Sequence, residues 1–109
     1  MSDLILTTHE ASDGTTITVA GELDLTSCPT LQDATSQATL ADGAPLRLDM
    51  SQVTFMDSSG LNLLLVLRRR LADSGSRLLL TGVQGVPMRV LTLTGADTLF
   101  LPADSQARR

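Results

Sequence analysis

Two periods run through this chain. Residues 3–10 (DLILTTHE), 15–21 (TTITVAG), 46–50 (LRLDM) and 77–81 (RLLLT) are short apolar or alternating runs bounded by turn residues, the pattern of strands. In LRLDM the alternation is clean, with Leu46, Leu48 and Met50 to one side and Arg47 and Asp49 to the other. A sheet buried mainly on one face follows from it. Between these runs the apolar residues recur at helical spacing. Thr26-Ser27-Cys28-Pro29 offers a hydroxyl cap and an early proline, and predicts a helix reaching about residue 40 with Leu31, Ala34 and Ala38 inward. A second helix is predicted from residue 58 to about 74, stopped by Gly75, and a third over 84–94, with Pro87 near its start and Gly95 at its end. Residues 98–101 (TLFL) read as a last short strand, and 102–109 as a polar tail that frays.

The connections are polar. Residues 11–14 end in Asp13-Gly14, a hairpin signal that pairs the first two strands antiparallel. Gly21-Glu22-Leu23-Asp24 and Asp42-Gly43-Ala44-Pro45 read as loops. The order strand, strand, helix, strand, helix, strand, helix, strand predicts an α/β domain. Its mixed sheet has a leading antiparallel hairpin and then parallel strand–helix–strand units with right-handed crossovers, the helices packed mainly on one face. At 109 residues a single domain is expected, with no internal repeat.

One stretch stands apart from this regular pattern: VTFMDSSGLNLLLVL, residues 53–67. A short apolar approach runs into Asp57-Ser58-Ser59-Gly60 and then into the second helix. Carboxylate and hydroxyl side chains at a helix start accept from free backbone N–H groups, and the same place favours negative charge. On the helical wheel Gly60, Leu63, Leu64, Leu67 and Leu71 form the core stripe. Asn62, Leu65, Val66, Arg69 and Asp73 lie opposite. Ser58 points outward with Asn62, Leu65 and Arg69, whereas Ser59 turns toward the Leu63 side. Capping alone accounts for the Asp and Ser residues; the outward Leu65 and Val66 add the expectation of an interaction surface.

Composition narrows the chemistry. Hydrophobic residues make up 42%, enough for a core, but Phe55 and Phe100 are the only aromatics, so no base-stacking platform exists. All eight basic residues are arginine, which removes Schiff-base chemistry and a phosphate-loop lysine. The net charge of −4 argues against nucleic-acid binding. Arg68-Arg69-Arg70 spreads around nearly a full helical turn and reads as a solvated flank. His9 is the sole histidine, a surface or strand-end residue with no metal-ligand spacing around it. Cys28 is the sole cysteine, expected to pack or cap, and it offers no disulfide framework. With no signal segment and no bilayer-length apolar run, a soluble cytoplasmic protein without cofactor or metal is expected.

Gly21-Glu22-Leu23-Asp24 after the second strand, Leu48-Asp49-Met50, the run from Val53 through Asp57-Ser58-Ser59-Gly60-Leu61, and Arg89-Val90-Leu91 with Thr94-Gly95 together resemble a STAS domain, specifically the bacterial anti-sigma factor antagonists. The resemblance spans nearly the whole length. It implies partner switching. An unphosphorylated antagonist binds an anti-sigma factor that is also a serine kinase, phosphorylation of the hydroxyl residue after the motif aspartate releases it, and a metal-dependent serine phosphatase resets it. Here that residue is Ser58, with Ser59 a minor candidate. Asp24 matches an acidic loop position near the phosphorylation site. With Asp57, Asn62, Leu65, Val66 and Arg69 it makes up the expected partner surface. The domain is then a substrate rather than an enzyme, with no membrane or nucleic-acid partner, and a weak homodimer is left open. The family usually ends in a further helix packed near the sheet; from the short polar stretch at 102–109 that helix is expected to be missing or very short.

Two other classes compete. A non-switching STAS scaffold or transporter-associated subunit would bind a partner without phosphorylation, but such relatives often lack an intact Asp-Ser-Ser-Gly. A serine hydrolase would need a base near Ser58; Gly-x-Ser-x-Gly is absent and only His9 could serve.

Overall fold

In a computed structural model, residues 4–38 and 43–100 are described. They form β1 (Ile5–Ala11), β2 (Gly14–Leu23), α1 (Cys28–Gln37), β3 (Leu46–Met56), α2 (Ser58–Asp73), β4 (Leu78–Thr81), α3 (Gly85–Thr94) and α4 (Asp97–Phe100). The sheet order is β1-β2-β3-β4, antiparallel in its first pair and parallel in the next two. This is the mixed sheet that the leading hairpin and the strand–helix–strand order predict. Ile17 and Val19 of β2, Leu46, Leu48 and Met50 of β3, and Leu78 and Leu80 of β4 share one core with Leu31 of α1, Leu63, Leu64 and Leu67 of α2, and Leu91 of α3. Burying each such side chain stabilises the fold by roughly 1.5–3 kcal/mol. Intervening strand residues, such as Thr16, Thr18, Arg47 and Asp49, are only half-buried.

Several elements differ from expectation. Gly21, Glu22 and Leu23 belong to β2 and not to a loop, and β3 continues past Met50 to Met56. The register explains why the alternation hides this. Between Thr18 and Ala20 of β2, β3 advances from Asp49 to Gln52; between Gly21 and Glu22 it advances from Val53 to Phe55. Each step inserts one extra residue, so buried positions shift from every second residue (46, 48, 50) to every third (53, 56). The expected last strand is a single helical turn, Asp97–Phe100, as far as Phe100. Phe100 is buried three residues after Asp97 and four after Ala96, which precedes the turn, and Leu99 N–H donates back to the Ala96 carbonyl at 2.9 Å. α1 ends at Gln37, with Ala38 already extended. Asp3, residues 39 and 40 of the expected α1, Leu101 of the expected strand and the tail at 102–109 lie outside the described residues.

The start of α1 also departs from a simple hydroxyl cap. Ser27 is helical in backbone conformation and makes no side-chain cap. Instead its hydroxyl donates to the Glu22 carbonyl at 2.6 Å and accepts from Asp24 N–H at 3.0 Å, so it is buried. Asp24 does the capping one turn earlier. Its Oδ1 accepts from Thr26 N–H, the Thr26 hydroxyl and Ser27 N–H at 3.1, 2.8 and 3.1 Å. At the start of α2, Gly60 is required by packing: a Cβ there would lie 2.7 Å from Met56 Cγ and 2.8 Å from the Leu23 carbonyl oxygen. The helix is therefore pressed directly onto the ends of β2 and β3.

Candidate functional site

The parallel strands β2 and β3 deliver two acidic loops to the same end of the sheet. β2 leads into Asp24 and β3 into Asp57, and the Asp57 N–H reaches back to the Leu23 carbonyl at 3.4 Å. The carboxyl ends of parallel strands are where open α/β sheets place ligands and partners. Asp57 is the N-cap of α2, extended in backbone, and its Oδ1 accepts from Ser59 N–H at 2.9 Å and Gly60 N–H at 3.2 Å. This is the cap that the Asp-Ser-Ser-Gly run predicts.

The two serines have different surroundings. Ser58 is exposed in the first turn, and its hydroxyl makes no hydrogen bond among the described residues. Ser59 is half-buried and turned toward α1. Asn62, Leu65, Val66 and Arg69 are all exposed, Leu65 at 37% and Val66 at 39%, as the wheel requires. The expected site residues divide into two groups. Ser59, Asn62 and Val66 line an open hollow of about 350 Å³ between α1 and α2. Ser58, Leu65 and Arg69 are exposed on α2 outside that lining.

The opposite wall of the hollow was not read from the sequence. It is made by Leu25, Cys28, Pro29 and Gln32. Leu25 is 73% exposed, and its only sequence signal is a leucine inside an otherwise polar loop. Cys28 packs in this wall, as expected of it, and its N–H donates to the Asp24 carbonyl at 2.9 Å. Burial pushes its thiol above the ordinary range, and the negative charges of Asp57 and Asp24 push it the same way. Both carboxylates thus act on one thiol, which binds the Asp24 loop and the Asp57 cap into one acidic locality.

Arg68, Arg69 and Arg70 face three directions: Arg68 lines a hollow beside β4, Arg70 one beside the end of α1, and Arg69 neither. A hollow of about 590 Å³ beside β4, lined by Arg68, Arg77 and Phe100 among others, lies away from Ser58. His9 is exposed on the edge strand β1 opposite Thr16, with β2 between it and the strand that leads to Ser58. Among the described residues no three His, Cys, Asp or Glu side chains converge as metal ligands.

A family model described as "Mlab, STAS domain" matches residues 6–102. The chain belongs to the STAS domain family. Among curated relatives of this STAS domain are the anti-sigma-B factor antagonists of Listeria monocytogenes serovar 1/2a and Listeria innocua serovar 6a. Each is 32% identical over 89 residues, covering 82% of this chain and 78% of the relative. Among solved structures, an anti-sigma factor antagonist from Mycobacterium paratuberculosis superposes with a TM-score of 0.74 at 25% identity, covering 94% of this chain and 90% of that one. The anti-sigma factor antagonist SpoIIAA in its unphosphorylated form has the same TM-score of 0.74 at 21% identity, covering 94% and 92%, and so shares the fold. No helix among the described residues of the STAS domain is long and apolar enough to cross a membrane.

Proposed function

We propose that this STAS domain is an anti-sigma factor antagonist that works by partner switching. Unphosphorylated, it binds an anti-sigma factor with serine kinase activity through the exposed face of α2 (Asn62, Leu65, Val66 and Arg69) and the neighbouring Asp24 and Asp57. Phosphorylation of Ser58 releases it, and a metal-dependent phosphatase restores it. The observation that carries the reading is the exposed Ser58 hydroxyl, unbonded among the described residues and placed directly after a capping aspartate. The 32% identity to anti-sigma-B factor antagonists over most of the chain supports the choice of partner.

The cap also makes phosphorylation an effective switch. A phosphate on Ser58 adds about −1.5 to −2 charges. A free helix start would absorb that charge, but the N–H groups of Ser59 and Gly60 are already given to Asp57. The phosphate therefore stays largely uncompensated beside a carboxylate. Burying such a group against a partner costs far more than leaving it in water. Swinging occupancy from nearly full to nearly empty takes a difference of about 5.5 kcal/mol.

The test is to incubate the protein with its anti-sigma factor and magnesium ATP, then map phosphopeptides by mass spectrometry. A single phosphate on Ser58, absent in Ser58→Ala, is expected. Phosphate found only on Ser59 or another residue, or none at all on this protein from its native cells even with phosphatase blocked, would overturn the switch.

A further inference from the structure

We propose that the hollow between α1 and α2 is the anchor pocket for the anti-sigma factor, taking an apolar side chain of that partner while a carboxylate of the same partner segment meets Arg69. This rests on the partner-binding reading above and moves the centre of the interface from the outer face of α2 to the seam between two helices. Leu25 on one lip is 73% exposed and Val66 on the other is 39% exposed. A single exposed apolar residue is ordinary, but two of them flanking one hollow mark a contact surface. No charged side chain lines the hollow, and Cys28, held neutral by burial, adds to its apolar wall. Sites for small molecules enclose the ligand and converge several polar groups on it. This one is open along its length, which suits an inserted side chain ringed by less critical contacts.

Two neighbours decide what the partner segment carries. Ser59 belongs to the lining, and Ser58, the residue before it in the chain, is exposed, so a phosphate there would add charge next to the incoming segment. Arg69 lies three residues beyond Val66, less than one helical turn, is exposed, and makes no ion pair among the described residues. Facing a partner, an arginine so placed is matched by a carboxylate.

Cys28 is the only cysteine in the chain and sits in the pocket wall, so its alkylation reports directly on occupancy. The rate of N-ethylmaleimide modification at mildly alkaline pH is measured for the free protein and for its saturated complex with the anti-sigma factor, complex formation being checked separately by size-exclusion chromatography. The rate is expected to fall by about tenfold or more in the complex. Leu25→Asp and Val66→Asp should each weaken binding by about thirtyfold, and Thr30→Asp, on the exposed surface of α1 outside the lining, should not. Arg69→Glu should slow association by about tenfold at low salt, a difference that fades at high salt. A complex that forms with Cys28 modified at the free rate, or with affinity unchanged in both pocket variants, would overturn the pocket and leave the switch standing. If no complex forms at all, the partner reading falls and the pocket with it.

Discussion

The two helices that flank the site begin in similar ways and end up chemically opposite. Each follows a parallel strand, each has an aspartate just ahead of its first turn, and each has a serine beside that turn. At α1 the aspartate caps from a turn upstream, and Ser27 is drawn inward to tie Glu22 to Asp24. At α2 the aspartate caps from the N-cap position itself, takes the N–H groups of Ser59 and Gly60, and leaves Ser58 pointing at water. The position of the capping carboxylate thus decides whether the neighbouring hydroxyl is drawn into the structure or stays exposed.

Substitutions at the two serines should separate these roles. The largest effect is on binding: phosphorylation of Ser58 should lower affinity for the anti-sigma factor by about 10⁴-fold, with Ser58→Glu acting in the same direction, measured by titration calorimetry. By contrast, Ser58→Ala should change unfolding free energy by no more than about 0.5 kcal/mol. The next effect is on stability. Gly60→Ala places a Cβ against a carbonyl oxygen that cannot swing away, costing about 1–3 kcal/mol of overpacking, more than the helix propensity it gains; a denaturant melt reads it. Ser27→Ala should cost about 1 kcal/mol, because it strips a part-buried carbonyl and N–H of a partner, and it should leave Ser58 phosphorylation untouched.

Smaller effects test the surface. Leu65→Arg should weaken partner binding by about tenfold with an unchanged melt, since Leu65 is already part-exposed. Cys28 should show a pH dependence of defined sign. Its folded-state thiol titrates above the unfolded value, so its contribution to stability is complete below the ordinary thiol range and is lost as pH rises through the raised value. Wild type should therefore lose more stability than Cys28→Ala on going from neutral to strongly alkaline pH.

The antiparallel hairpin and the parallel units after it, the core stripe of α2 and the outward turn of Ser58 were legible because each rests on a turn signal, a period or a local cap. The far half of β3 was not, since two bulges break the alternation at Ser51–Met56 into a spacing of three. Residues 98–101 misled for a related reason: a short apolar run has no period of its own, and Ala96, Asp97 and Phe100 reveal helical spacing only once their burial is seen. The α1 wall of the site was hidden because Leu25, Pro29 and Gln32 meet Val66 only through a crossover. Ser27 looked like any capping hydroxyl until its partners were known.

The central claim is that Ser58 is free so that it can be modified, and that modification alone empties the partner surface. The most direct test is the affinity of the anti-sigma factor for the purified Ser58 phosphoform beside the unmodified protein and Ser58→Ala. Tight and equal binding of the last two, with the phosphoform weaker by orders of magnitude, is the predicted result. Equal affinity of all three would contradict it and leave Asp-Ser-Ser-Gly as a helix cap on a passive binding domain.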